Sequence, residues 1–222
     1  MQRYEFAANF VAGKRVLDAG CGVGYGSQML AVAGARSVVG VDISEEALDV
    51  AQKRYAREGV QFLRADCQTM AGVKGPFDVI VAFECLEHLQ DVRGFLESVI
   101  RLLGPAGVFL CSTPNGLGAG YQPENPHHVS EFTVTEFESL LRSYFAEIDL
   151  TGQHWTAAAK AINILWSNPF MRLGRLLQRM RGRKVDSQWF SPLSPPTEGD
   201  LIISPHNLSS AYILVAICRT PV

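Results

Sequence analysis

Val16-Leu17-Asp18-Ala19-Gly20-Cys21-Gly22-Val23-Gly24-Tyr25-Gly26-Ser27 carries four glycines at alternate positions behind an apolar run, and Met29-Leu30-Ala31-Val32-Ala33 follows at once. The pattern reads as a buried strand, a sharp turn and a helix. Glycine suits a turn where a Cβ would clash and where a ligand must approach the backbone closely. A nucleotide-like ligand is the first expectation. The spacing narrows it, because a dinucleotide fingerprint wants G-x-G-x-x-G/A. Counted from Gly20 or Gly22, the last position falls on Tyr25 or Ser27, so the fit is imperfect.

Outward from the turn, the chain repeats apolar runs that end in acids. Ser37-Val38-Val39-Gly40-Val41-Asp42 is a second strand, after which Ser44 caps a helix opened by Glu45 and Glu46. An acid about 20 residues beyond a glycine turn stands where it accepts hydrogen bonds from a ribose diol, which makes Asp42 the ribose ligand whichever nucleotide binds. Val60 to Cys67 is a third strand, ending at Asp66, and Phe77 to Phe83 a fourth, entered through Gly75-Pro76. Because ligands of open α/β sheets lie outside the carboxyl ends of strands, Glu84-Cys85-Leu86-Glu87-His88-Leu89 falls beside the reacting end of the site. Asp91 caps the next helix, Gly104-Pro105 stops it, and Gly107 to Asn115 forms a fifth strand. Then Gly116 to Pro126 leads to His127-His128-Val129-Ser130-Glu131-Phe132-Thr133, where Thr133 and Glu136 spell a capping box. Phe145 to Leu150 and Ala211 to Ile217 read as two final strands. At the other end, Tyr4, Phe6, Ala7, Phe10 and Val11 recur at helical spacing, so the chain opens with a short amphipathic helix.

Asp18 followed by Gly20-Cys21-Gly22-Val23-Gly24 resembles the first motif of class I S-adenosylmethionine-dependent methyltransferases. Arg3 to Ser27, taken with Glu84 to Leu89 and the His-His-x-x-Glu-Phe-Thr segment, is similar to members associated with cell-surface saccharide assembly. The resemblance implies an α/β, Rossmann-like, seven-stranded and mostly parallel sheet with a terminal antiparallel hairpin, all in one methyltransferase domain spanning 1–222. It implies a cofactor site of Asp18, Gly20, Cys21, Gly22, Gly24, Asp42, Ile43, Asp66, Cys67 and Phe83, with Asp18 toward the ammonium group and Asp66 and the Cys67 backbone toward adenine. The opening helix either covers the cofactor or merely packs on the sheet.

Methyl transfer to a hydroxyl also needs a proton acceptor. His127 or His128 as base with Glu131 as its orienting partner is one arrangement. Glu84-x-x-Glu87-His88 with the later His128 looks like the metal site of small-RNA 2′-O-methyltransferases, and its first part resembles ubiquinone-biosynthesis O-methyltransferases. That implies Glu84, Glu87, His88 and His128 as ligands of Mg²⁺ or Mn²⁺. A third possibility is that neither applies and Glu87-His88 only forms a turn.

The net charge of −2 argues against a nucleic-acid partner for the whole chain. The five scattered cysteines have no C-x-x-C spacing and read as reduced core thiols of a cytoplasmic protein, and no signal peptide or membrane span is legible. Between the last two strands, residues 153–209 form an insertion expected to cover the substrate. Within it, Lys160 to Lys184 holds only basic charges, and a basic amphipathic helix near 169–184 suggests contact with a membrane surface or an anionic substrate, or else a solvated face. Ser191-Pro192-Leu193-Ser194-Pro195-Pro196 is non-helical. The expected function is O-methylation of a small hydroxylated molecule, a saccharide or glycoconjugate first and a natural product second. A non-catalytic S-adenosylmethionine-binding protein and an NAD-linked oxidoreductase are the rivals.

Overall fold

In the computed structural model the described residues are 1–116, 125–156 and 201–222. The opening helix α1 (Gln2–Ala7) leads to β1 (Arg15–Ala19), and the glycine turn follows as expected. Gly20, Gly22 and Gly24 take φ of +75°, +52° and +87°, so the turn runs through the left-handed region before α2 (Tyr25–Val32) begins. A side chain on Gly24 would also press on Ala51 Cβ and the Phe62 ring at 2.7 and 2.8 Å.

The remaining elements follow the alternation read from the sequence. They are β2 (Ser37–Asp42), α3 (Glu45–Tyr55), β3 (Val60–Arg64), β4 (Phe77–Phe83), α4 (Val92–Leu102), β5 (Leu103–Pro114), α5 (Val134–Arg142), β6 (Phe145–Trp155), β7 (Leu201–Ser204) and β8 (Ile213–Pro221). All three expected caps form. Ser44 accepts from Ala47 N at 3.2 Å, Asp91 from Gly94 N at 2.9 Å, and Thr133 with Glu136 closes a capping box.

The strands join one sheet in the order β3-β2-β1-β4-β5-β8-β6-β7. Strands β1 to β5 are mutually parallel, β8 runs antiparallel to both β5 and β6, and β7 is antiparallel to β6. This is a Rossmann-like sheet whose strand order reverses between β1 and β4, where a ligand crevice opens at the carboxyl ends. One face packs Phe95 and Leu96 of α4 and Phe137 of α5 on Leu17, Ile80 and Phe109. The other packs Tyr4 of α1 and Leu30 of α2 on Val16, Val81 and Leu110. The five cysteines are free and buried. No helix among the described residues is long and apolar enough to cross a membrane.

Three expectations need correction. The sheet has eight strands, because β7 pairs along Gly152 to Trp155 and adds an outer edge. Strand β6 therefore runs on past Leu150, and the span 153–209 contains the end of β6 and all of β7 as sheet. Strand β5 begins at Leu103 rather than Gly107. Leu103 pairs with Phe77, and a register shift between Phe77 and Val79 absorbs Gly104-Pro105 within the strand instead of before it. The basic helix near 169–184, the 191–196 segment and residues 117–124 lie outside the described residues.

Candidate active site

A cavity of about 370 Å³ opens at the carboxyl ends of β1 to β4. Gly20, Asp42, Ile43, Asp66 and Cys67 line it, half of the expected cofactor set. Asp42 is fixed from both sides, since Gly22 N donates to one carboxylate oxygen at 2.8 Å and Ser44 N to the other at 2.9 Å. Each oxygen keeps a lone pair for a further donor. Asp66 is held in the same way by the Gln68 backbone N–H at 2.9 Å. Gly20 comes so close to Cys85 that a Cβ there would lie 3.0 Å from its Sγ. Two oriented carboxylates and a bare stretch of backbone around one cavity fit a nucleoside with a ribose diol and an exocyclic amine.

The other half of that set supports the cavity without lining it. Asp18 is fully buried and points to the opposite side of β1, where Ser27 Oγ donates to it at 2.6 Å and Tyr4 Oη at 3.1 Å. Burial pushes its carboxyl up to about 6, against the pull of the two hydroxyls. Cys21 and Phe83 are buried, Gly22 spends its N–H on Asp42, and Gly24 lets α3 and β3 approach the turn. Leu89 lines the cavity at the end of the segment expected beside the reacting end, and Gln68, which the sequence did not single out, lines it too. Gln68 had a legible cue, because an Asp two residues ahead bonds the backbone N–H in an Asx turn.

Glu84, Cys85 and His88 continue the lining toward the mouth. Glu84 takes φ +51° and accepts from Ser112 Oγ at 2.8 Å. Behind it, Glu87 is 1% exposed and accepts from Thr113 Oγ1 at 3.2 Å. Burial, then the charge of Glu84, pushes the Glu87 carboxyl up to about 8.

Of the four expected metal ligands the structure gathers three. Ligand atoms of Glu87, His88 and His128 lie within 4.8 Å of one another, and the two rings meet edge to face at 5.0 Å. Glu84 falls outside this group. Partners fix both imidazoles. The Nδ1 of His88 is 2.9 Å from the His127 carbonyl oxygen, and Nδ1 of His128 is 2.7 Å from Glu131 Oε1. Each Nδ1 therefore carries the proton and each Nε2 keeps the lone pair, the outer arrangement typical of metal-bound histidines. In His128 that lone pair is taken by Asn125 Nδ2 at 2.9 Å, so an ion would have to displace it. One carboxylate and two imidazoles suit Mn²⁺ better than Mg²⁺, which prefers oxygen.

Of the expected base set, His128 and Glu131 form the pair described. His127 is exposed and contributes its backbone, accepting from His88 and donating N–H to Asn125 Oδ1 at 3.0 Å.

Comparison with known proteins follows the same lines. A methyltransferase domain family matches residues 2–160. The chain is 36% identical over 151 residues to the "Probable S-adenosylmethionine-dependent methyltransferase" of Mycolicibacterium smegmatis, covering 67% of this chain and 58% of that one. To the ubiquinone biosynthesis O-methyltransferase of Aromatoleum aromaticum it is 40% identical over 108 residues, 47% of this chain and 46% of the other. It thus spans about half the length of these relatives. The S-adenosylmethionine-dependent methyltransferase structure from Mesorhizobium loti superposes with a TM-score of 0.61 at 20% identity, covering 98% and 97% of the two chains, a likeness of fold.

Proposed function

The chain belongs to the methyltransferase domain family, and from that premise we propose that it moves a methyl group from S-adenosylmethionine to a hydroxyl of a small molecule, a saccharide or glycoconjugate. The observation that carries this reading is one cavity lined by Asp42 and Asp66 on one side and by Glu84 and His88 on the other. Oxygen as acceptor is supported by the O-methyltransferase among the relatives. The saccharide class is supported by the Arg3 to Ser27 lead-in.

When bound, the cofactor supplies a methyl carbon made electrophilic by its sulfonium. The chain's own residues bind, align and deprotonate. Asp42, held by two backbone N–H groups, offers its free lone pairs to the ribose diol, and Asp66 offers its own to the adenine amine. Ile43, 61% exposed at the rim, gives the base an apolar surface. Holding the acceptor oxygen behind the methyl carbon supplies much of the barrier reduction.

Removing the acceptor's proton falls to one of two arrangements. His128, oriented by Glu131, can accept it once Asn125 gives way. Alternatively, Glu87, His88 and His128 would hold a divalent ion, whose charge would lower the pKa of an acceptor hydroxyl.

Calorimetry separates these. Protein saturated with S-adenosylhomocysteine, which at 100 times its dissociation constant stabilises the fold by about 2.7 kcal/mol, is titrated with Mn²⁺ and Mg²⁺, alongside Glu87→Ala and His128→Ala. One ion in the wild type and none in either variant supports the ion. Binding of the cofactor product with no ion leaves His128. Release of S-adenosylhomocysteine across a panel of glycosides and phenols tests the activity, and binding without turnover on any acceptor overturns it in favour of a cofactor-binding protein.

A further inference from the structure

We infer that Cys67 and Cys85 form a two-thiol site for a soft monovalent cation of the cuprous class in the wall of the cavity, and that this ion and a nucleoside exclude one another. The ion site stands on the two thiols alone. Its competition with a nucleoside rests on the cofactor reading above.

The two cysteines come from loops that the sheet holds apart. Cys67 follows β3 and Cys85 follows β4, and with β2 and β1 between them those strands stand three spacings, roughly 14 Å, apart. The loops converge over the end of β1. Glu84, at φ +51°, turns the chain as it leaves β4, and the bare backbone of Gly20 leaves room for the Cys85 sulfur. The two thiols then share a hydrogen bond. Both residues line the cavity, so a ligand that enters meets two sulfurs together. Cys111 and Cys218 pair in the same way between β5 and β8, but both are fully buried in the core. Access separates the two pairs.

Thiolates select soft metals, Cu⁺ and Zn²⁺ among them. Structural Zn²⁺ takes four ligands, and the pair has no such company. Cys21 Sγ is turned to the Gly22 carbonyl oxygen at 3.7 Å. Among the described residues the three ligands that gather are Glu87, His88 and His128, and no third ligand atom gathers with the two thiols. Two sulfurs in line suit a monovalent ion with a filled d shell. Bonds of about 2.3 Å, the length of a zinc–thiolate bond, set such sulfurs about 4.6 Å apart, a small opening of a hydrogen-bonded pair.

The surroundings favour a cation. Asp42, Asp66 and Glu84 line the same cavity, and their carboxylates draw positive charge into it. Cys67 and Cys85 belong to an apolar cluster with Ala65, Met70 and Leu86. The hydrogen bond with Cys67, then burial and the charges of Glu87 and Asp42, push the Cys85 thiol up, so a bare thiolate is disfavoured until a cation arrives. Binding forms two sulfur–metal bonds and releases both thiol protons to solvent. Because Cys67 adjoins Asp66 and Cys85 lies against Gly20, spreading the sulfurs also moves the wall proposed for the nucleoside.

The test is anaerobic titration with Cu⁺ buffered by bicinchoninate, read by the indicator's colour and by thiolate-to-copper absorption, for wild type, Cys67→Ala, Cys85→Ala and His128→Ala. One Cu⁺ per chain with the thiolate band is expected in wild type and in His128→Ala. Either cysteine variant should bind more than roughly a hundredfold more weakly, beyond the range for losing a mere outer partner of a ligand. Should one of them fail to fold, the other decides. Bound Cu⁺ should lower calorimetric affinity for S-adenosylhomocysteine about tenfold or more, and S-adenosylhomocysteine should lower that for Cu⁺ by the same factor. No thiolate band in the wild type, or undiminished Cu⁺ binding in the cysteine variants, overturns the site. Undiminished binding of S-adenosylhomocysteine to the copper-loaded protein overturns the exclusion. A wild type that takes Cu⁺ but, free of metal, binds no S-adenosylhomocysteine keeps the ion site and overturns the cofactor reading instead.

Discussion

Asp18→Asn should change how the protein's stability depends on pH, by an amount the structure sets. The Asp18 carboxyl is raised from 3.8 to about 6 in the fold, chiefly by burial, with the Ser27 and Tyr4 hydroxyls restraining the rise and the charge of Asp42 adding to it. A carboxyl whose folded pKa exceeds its unfolded one holds its proton more tightly when folded. Stability is therefore lost as pH climbs from about 4 through 6, and the loss is complete by about pH 7. A shift of roughly two units at 1.36 kcal/mol each makes the loss about 3 kcal/mol. Asparagine cannot ionise and escapes it. The charged hydrogen bonds of the ionised form are already contained in that net shift, so only the difference between two neutral side chains remains as an offset that does not vary with pH. Urea unfolding of both proteins at pH 4, 5, 6 and 7 isolates the effect, because Glu87 and every other titrating group is common to both and cancels in the difference. The variant should gain about 3 kcal/mol on the wild type between pH 4 and 7, and an isolated gain flat to within 1 kcal/mol would show that the buried carboxyl titrates normally.

Two substitutions test the cavity itself. Gly24→Ala combines a φ of +87° with a Cβ 2.7 Å from Ala51 Cβ and 2.8 Å from the Phe62 ring, and should cost about 3 kcal/mol in unfolding free energy; a loss below 1 kcal/mol would mean the turn has room to relax. Asp42→Ala removes the acceptor that holds Gly22 N–H and that we propose for the ribose, so calorimetric affinity for S-adenosylhomocysteine should fall ten- to hundredfold, about 1.5–3 kcal/mol, and an unchanged affinity would move the ribose elsewhere.

Much of the scaffold was legible because it is written locally. The fourth strand runs from Phe77 to Phe83 as its apolar run says, and Ser44, Asp91 and Thr133 cap the helices they precede. Asp42 and Asp66 reach the cavity because both stand at strand ends, where the chain turns into the crevice. Asp18 lies one residue inside β1, where alternation of side chains decides its direction, and it points away from the cavity toward Tyr4 and Ser27. The grouping of Glu87, His88 and His128 followed from the motif. The withdrawal of Glu84 to Ser112 did not, since Ser112 belongs to the neighbouring strand. The same holds for Gln153, whose link to Arg3 spans 150 residues. Strand β7 and the early start of β5 depend on pairing partners distant in sequence, which periodicity within a run does not register.

The place of β8 between β5 and β6 has a consequence for how the protein comes into being. Its residues, Ile213–Pro221, are translated after those of both strands they join. Until they emerge, β5 and β6 each present an open edge, and the half of the sheet bearing Asp42 and Asp66 is separate from the half bearing Gln153. The Arg3 side chain likewise waits for Gln153, which at 5–20 residues per second trails it by roughly 8 to 30 seconds. The nascent chain can thus complete the half bearing Asp42 and Asp66 first while its two unpaired edges remain open to chaperones or to other nascent chains. The half bearing Gln153 is joined on in a single late event, when one strand of nine residues zips along both neighbours at once.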